Sequence, residues 1–232
     1  MFPYSENITI KDNLTVPYQR VLKEIGPLLT PERRARIDEV VRGRNFSTSI
    51  VLENIYDRGN SSAVMRTGEA LGFQLFDVIE LSEKFKVANR VASGADKWVH
   101  VRKWKSTLDC VKQLKADGFQ ICVTALSPIS KPISEIDFTK PTAFVLGNEK
   151  DGASKEIIEH ADHQIIIPMA GFVQSFNISV AGALGMYHIF HERERQLGKN
   201  ADVTPEQQEI LKAHYYMKTL DTAEDILSRP QN

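Results

Sequence analysis

The strongest constraint on this chain is an alternation of strand-like and helix-like segments between Ser49 and Arg195, with polar, glycine-containing runs where strand gives way to helix. Ser49–Glu53 reads as a buried strand, 61–71 as a helix stopped by Gly72, and 73–79 and 98–104 as further strands. Residues 108–116 carry Leu108, Val111 and Leu114 at helical spacing and end in Asp117 and Gly118, after which 119–126 returns to strand. The Pro- and Ser-rich run 127–140 reads as a loop, 142–146 and 164–167 as short strands, and the last long helix opens near Asn177. Strands alternating with helices need crossovers, so the expected fold class is α/β, a mostly parallel sheet flanked by helices.

In an open sheet of this kind, ligands bind beyond the carboxyl ends of the strands. Three polar runs fall there: Asn60–Arg66, Leu146–Gly152 and Pro168–Ser179. Each has an ordinary structural reading. Asn60 and Ser61 suit a helix cap, Arg66 could pair with Glu69, Gly147–Gly152 could be a tight turn, and Ser175 and Asn177 could cap the next helix. Their position favours more. An arginine in the first turns of a helix at that edge is suited to a phosphate or a developing oxyanion. Glycines let backbone N–H and C=O groups approach a flat ligand. Their spacing in 147–152 excludes a dinucleotide fingerprint and a phosphate loop. Ala181, Gly182, Ala183 and Gly185 fill the last helix with small residues although each interior glycine costs about 1 kcal/mol, so something must approach that helix closely.

Net charge is -1, so no global field advertises nucleic acid. Locally, Lys84, Lys86, Arg90, Lys97, Arg102, Lys103 and Lys105 surround Trp98 and Trp104, and Arg33, Arg34, Arg36, Arg42 and Arg44 precede the first core strand. Such clusters can hold a phosphate backbone and stack bases, or can be solvated faces. No apolar run reaches the roughly 18 residues of a membrane span, so no membrane role is expected. The opening residues 1–7 carry neither a basic leader nor an apolar segment, which predicts a cytoplasmic protein without a secretory signal. Cys110 and Cys122 are expected to be reduced core thiols. His188, His191 and Glu192, like His160 and His163, lack the spacing of a zinc helix, so no metal is expected.

The three runs resemble motifs 1, 2 and 3 of the SpoU/TrmH family of RNA ribose 2′-O-methyltransferases, in the SPOUT superfamily. Asn60, Ala63 and Arg66, then Gly147, Glu149 and Gly152, then Pro168, Ser175, Asn177 and Ala181 carry the resemblance, which covers about residues 47–195. It implies the SPOUT (α/β-knot) fold with a C-terminal trefoil knot, and a homodimer whose third-motif helix packs at the two-fold, giving the small residues a reason. It implies S-adenosyl-L-methionine as cofactor, bound by Thr124, Leu146, Gly147, Ile167, Met169 and Phe176. Arg66 would assist loss of the 2′-hydroxyl proton, as base or as stabiliser of the oxyanion, with Asn60, Glu149, Ser175 and Asn177 holding it and the ribose. A guanidinium keeps its charge, which makes stabilisation the easier role.

The resemblance divides the chain into a catalytic domain at 47–197 between helical arms at 1–46 and 198–232. Thr30 with Pro31, and Thr204 with Pro205, open helices in those arms. Short arms resemble the family's transfer RNA branch, whose target is the ribose of guanosine 18 in the D-loop. Arg33, Arg34, Arg90, Lys97, Arg102, Lys103 and Lys105 would then contact tRNA. Ribosomal or another RNA as substrate, and a non-catalytic RNA-binding relative, are the alternatives. Phe176 and Gly68 depart from the family pattern, which commonly has leucine and alanine or cysteine there.

Overall fold

In the computed structural model, which describes residues 1–81 and 88–229, the chain divides into two units. The smaller comprises residues 2–44 and 201–232, the larger Met1 and residues 45–200. The smaller begins with an antiparallel hairpin of β1 (Asn7–Thr9) and β2 (Thr15–Pro17), whose turn holds Asp12 and Asn13 at φ of 57° and 58°. Helices α1 (Tyr18–Ile25) and α2 (Pro31–Arg42) follow. Thr30 caps α2 by accepting from the Arg33 N–H at 3.2 Å, and Pro31 occupies the first position, where a missing N–H breaks no helical bond.

The larger unit runs β3 (Asn45–Glu53), α3 (Arg58–Ala70), β4 (Phe73–Ile79), α4 (Asn89–Ala92), β5 (His100–Trp104), α5 (Thr107–Ala116) and β6 (Gln120–Thr124), then β7 (Lys131–Pro132), β8 (Thr142–Leu146), α6 (Lys155–His160), β9 (His163–Ile166) and α7 (Ile178–Leu197). Its strands form one sheet in the order β5-β4-β3-β8-β6-β9-β7, with every neighbouring pair parallel. The expected parallel α/β sheet is therefore present. β8 enters between β3 and β6, and β9 between β6 and β7, each after both of its neighbours in the chain. The carboxyl ends of β3, β8, β6 and β9 consequently lie side by side.

Successive strand residues face opposite sides of a sheet. Ile50, Val51 and Leu52 are all fully buried, as are Phe144 and Val145, so the central strands are covered on both faces. One polar cluster lies inside. Asp77 on β4 is fully buried and accepts from Ser49 Oγ at 2.6 Å, Arg102 Nε at 2.7 Å and Trp104 Nε1 at 2.7 Å. Arg102 also donates to Asp117 at 2.7 Å. Burial works against its charge, but the two carboxylates outweigh it and hold the guanidinium pKa above its ordinary value.

The two glycines of α7 have close neighbours within the chain. A Cβ on Gly185 would lie 2.2 Å from the buried Phe144 ring, and one on Gly182 3.0 Å from Leu146 and Val64. Gly182 and Gly185 are thus required by packing on β8 and α3 within the chain. Gly68 has the same cause, since its Cβ would stand 2.6 Å from Phe76.

Helices α8 (Pro205–Thr219) and α9 (Ala223–Leu227) complete the smaller unit, α8 lying against α1 and α2. Thr204 and Gln207 form a reciprocal capping box, at 3.2 and 3.0 Å. Arg44, counted in a basic cluster, is buried with its guanidinium 5.8 Å from the centroid of the Tyr215 ring. Other local differences are small. α3 starts at Arg58 rather than Ser61, β5 at His100 rather than Trp98, and the expected loop 127–140 contains β7. The short helices α4 and α6 were not anticipated. No helix among the described residues is long and apolar enough to cross a membrane.

Gly185→Ala is expected to destabilise the larger unit by about 1–3 kcal/mol, because the fully buried Phe144 ring has no vacant space to move into. Gly171→Ala, where nothing lies within 4 Å, should leave the urea midpoint unchanged. Equal midpoints for the two variants would show that α7 does not sit on Phe144 as described.

Candidate active site

The end of β3 turns sharply through Asn54, at φ 51°. Its N–H donates to Ile79 O at 2.9 Å, and its carbonyl accepts from Asn148 Nδ2 at 2.6 Å. Asp57 then caps α3, accepting from the N–H groups of Gly59 and Asn60. The cap is therefore Asp57 and not Asn60 or Ser61, and the Asn60 side chain is released for another purpose.

That purpose is visible in its partners. Asn60 Nδ2 donates to Glu149 Oε1 at 3.0 Å, and Asn60 Oδ1 accepts from Asn177 Nδ2 at 3.3 Å. Asn177 caps α7 with its other atom, Oδ1, which accepts from Ser179 N at 2.9 Å and Ser179 Oγ at 2.6 Å. Glu149 also accepts from Tyr56 N at 2.9 Å and Asp57 N at 3.2 Å. One chain of hydrogen bonds thus joins all three polar runs. Partial burial acts to raise the Glu149 carboxyl, but donation from Asn60, Tyr56 and Asp57 prevails and holds its pKa below the usual glutamate value.

The loop carrying Glu149 closes on itself. Asn148 and Gly152 exchange backbone hydrogen bonds of 2.9 Å, with Gly152 at φ 72°. A Cβ on Gly147 would lie 2.2 Å from Ala153 N, so the close backbone approach demanded of that glycine is to its own loop. Glu53, 2% exposed at the end of β3, anchors the far side by accepting from Ser154 N at 2.9 Å, Ser154 Oγ at 2.6 Å and Thr107 Oγ1 at 3.0 Å. Glu53, Asp57 and Asn148 were absent from the sequence-based candidates. A carboxylate ending an apolar strand and an aspartate three residues before Asn60 were the legible signals.

Of the remaining expected site residues, Arg66 is exposed on α3 and donates to Val91 O at 3.4 Å. Ser175 is exposed two residues before Asn177. Leu146 is buried and Gly147, Ile167 and Phe176 are half-buried, Met169 is 36% exposed, and Thr124 donates to Val145 O at 2.9 Å. Lys97, Lys103 and Lys105 are exposed, and Arg33 and Arg34 are half-buried on α2. Arg102 is turned inward, as described. Lys84, Lys86 and the side chain of Arg90 lie outside the described residues. Both cysteines are buried, and burial pushes the Cys122 thiol up to about 12 and Cys110 upward as well. Among the described residues no group of three His, Cys, Asp or Glu side chains is placed to hold a metal ion.

A parallel α/β sheet with three polar loops tied together beyond its strand ends defines an α/β protein built to hold a ligand at that edge. Residues 47–187 match the SpoU rRNA Methylase family. The chain belongs to that family, as its three motifs suggested. It is 39% identical over 172 residues to the tRNA (guanosine(18)-2′-O)-methyltransferase of Borreliella burgdorferi, a match spanning 73% of this chain and 79% of the relative. The crystal structure of the A. aeolicus TrmH/SpoU tRNA modifying enzyme matches with a TM-score of 0.74 at 34% identity, covering 82% of this chain and 98% of that one. The AdoMet-bound rRNA methyltransferase of Sinorhizobium meliloti shares the fold, with a TM-score of 0.58 at 24% identity over 69% of this chain and 60% of that one.

Glu149→Gln removes the charge and leaves one oxygen to receive three donors. Hydrogen exchange at the Tyr56 and Asp57 amides should become about tenfold faster, the worth of one hydrogen bond to a charged acceptor. In the wild type the carboxyl pKa is lowered on folding. The stabilisation is therefore present above the ordinary glutamate pKa of about 4.3 and lost only as pH falls through the lower folded value. Amide protection that already fades above the ordinary glutamate range would contradict this.

Proposed function

We propose that this chain transfers the methyl group of S-adenosyl-L-methionine to the ribose 2′-hydroxyl of guanosine 18 in transfer RNA. The observation that carries the reading is the Glu149–Asn60–Asn177 chain, which fixes three loops at the ligand edge of the sheet with Arg66 exposed on the same helix as Asn60. Relatives named for this reaction support the choice of RNA and nucleotide.

Thr124, Leu146, Gly147, Ile167, Met169 and Phe176 would hold the cofactor. The Thr124 hydroxyl is already committed to Val145 O, so these positions offer apolar surface and backbone groups, a fit for an uncharged adenine ring. When bound, S-adenosyl-L-methionine supplies a methyl group activated by its sulfonium. The protein's own task is to place the 2′-oxygen and to stabilise it as its proton leaves. Arg66 is assigned the stabilisation. Glu149, kept ionised, orients Asn60, and Ser175 and Asn177 position the ribose.

The late insertion of β8 and β9 supports a trefoil knot through which the chain reaches α7. Lys97, Lys103 and Lys105 are proposed to contact the RNA backbone from the larger unit, and Arg33 and Arg34 from the smaller. Arg102 is excluded because Asp77 and Asp117 hold its guanidinium. We assign the protein to the cytoplasm, with its substrate. A homodimer is also proposed. Val180, Leu184 and Tyr187, on one face of α7, are 45%, 42% and 56% exposed, and Leu184 and Tyr187 line an apolar groove of 490 Å³ between α3 and α7 together with Arg66. A second copy covering that stripe would bring Arg66 to the seam.

Incubation with methyl-labelled cofactor and unmodified transfer RNA or ribosomal RNA, followed by nucleoside mapping, tests the reaction. A 2′-O-methylguanosine at position 18 is expected, and transfer to ribosomal RNA alone would overturn the assignment. Arg66→Ala should lower kcat by about 100-fold or more with melting and cofactor Kd unchanged; a fully active variant would remove Arg66 from its role. In sedimentation, Leu184→Glu should convert a dimer to a monomer, and a monomeric wild type would end the dimer proposal.

A further inference from the structure

A single exposed aromatic on a protein surface is ordinary and calls for no explanation. Tyr56 differs in how its backbone is held. The residue is 71% exposed, and its side chain has no hydrogen-bond or ring partner among the described residues. Yet the short segment that carries it is fastened on both sides. Asn54 occupies the left-handed region at φ 51°, held through its N–H by Ile79 O and through its carbonyl by Asn148 Nδ2. Half-buried Ile55 packs on the core. Tyr56 and Asp57 both donate their N–H groups to Glu149.

A backbone ordered this closely, with a non-glycine residue at positive φ, presents its ring to solvent at a defined place while gaining little burial from it. That place is the candidate site itself. Tyr56 N and Asn60 Nδ2 sit on the two oxygens of one carboxylate, at 2.9 and 3.0 Å. The Tyr56 backbone is therefore held beside the Asn60 side chain, on the segment that enters α3.

A flat, electron-rich ring with an open face suits the π-face of a nucleobase, and stacking of this kind needs no particular base and no hydroxyl. We infer that Tyr56 is a stacking platform for the nucleobase adjacent to the methylated nucleotide, a positioning residue that holds the RNA strand while the ribose is presented. The inference rests on the RNA methyltransferase reading above.

Transfer RNA transcripts carrying 2-aminopurine on either side of the target nucleotide report stacking by loss of fluorescence. The wild type and Tyr56→Phe should quench one of the two positions, and Tyr56→Ala and Tyr56→Leu should not. In methyl transfer, Tyr56→Ala should raise KM for transfer RNA about tenfold, the size of one base–aromatic stack, with kcat, cofactor Kd and melting unchanged. Tyr56→Phe should restore KM. Quenching and KM in Tyr56→Ala equal to wild type would overturn the platform, as would a wild type that methylates without quenching either position. A wild type that binds and quenches but transfers no methyl would leave the platform standing and overturn the proposed reaction.

Discussion

The site depends on two carboxylates at the carboxyl edge of the sheet. Glu53 is almost wholly removed from water at the end of a central strand, where an unpaired charge would cost several kcal/mol, so its two oxygens must be met. They are met by Ser154 and Thr107, which fixes the start of α6 and of α5 against β3. The loop before Ser154 closes with Gly147 against Ala153, an approach that leaves no room for a Cβ on Gly147. Glu149 then projects from that closed loop toward the start of α3. Its acceptors gather Tyr56, Asp57 and Asn60, and Asn60 in turn meets Asn177.

Much of this architecture was legible because it rests on local rules. Period and punctuation mark the parallel strands, since a strand covered on both faces must be apolar throughout, as Ile50, Val51 and Leu52 are. The three polar runs were legible because they lie where strand gives way to helix. What escaped was decided at long range. Whether Asn60 caps a helix or faces Glu149 depends on Asp57 taking the cap first, and the outcome also needs a loop some ninety residues away. The glycines of α7 were recognisable as demanding a close neighbour. Which neighbour they demanded followed from the Phe144 ring on β8, a pairing that only strand order creates.

Charge was the least legible property. Arg102, Lys103 and Lys105 look equivalent in a basic run, yet strand alternation sends Arg102 inward to Asp77 and Asp117 while the lysines stay exposed beside Glu80. Arg44, likewise, is a packing residue over Tyr215. A composition-level basic patch therefore overstates the surface available to an RNA backbone, and partner geometry is needed to separate the two uses of arginine. The smaller unit has the same origin of difficulty. Its helices come from the two ends of the chain, and no local signal in either segment names the other.

The hydrogen-bond inventory of the site also limits what each residue can do for a ligand. Asn60 uses Nδ2 on Glu149 and Oδ1 on Asn177, and Asn177 uses Oδ1 on Ser179 and Nδ2 on Asn60. Each amide is engaged at both ends, so both act as scaffold, and what each keeps for a ligand is the second N–H of its Nδ2. Ser175 has no hydrogen-bond partner among the described residues, and Arg66 has one long bond to a carbonyl. On the proposed reading, direct recognition then falls to these two side chains, the remaining N–H of Asn177 and the Tyr56 ring, while Asn60 and Glu149 keep the three loops in register. That division separates the bonds that hold the three loops together from the exposed groups left to meet the RNA, as group transfer to a bulky polymer requires.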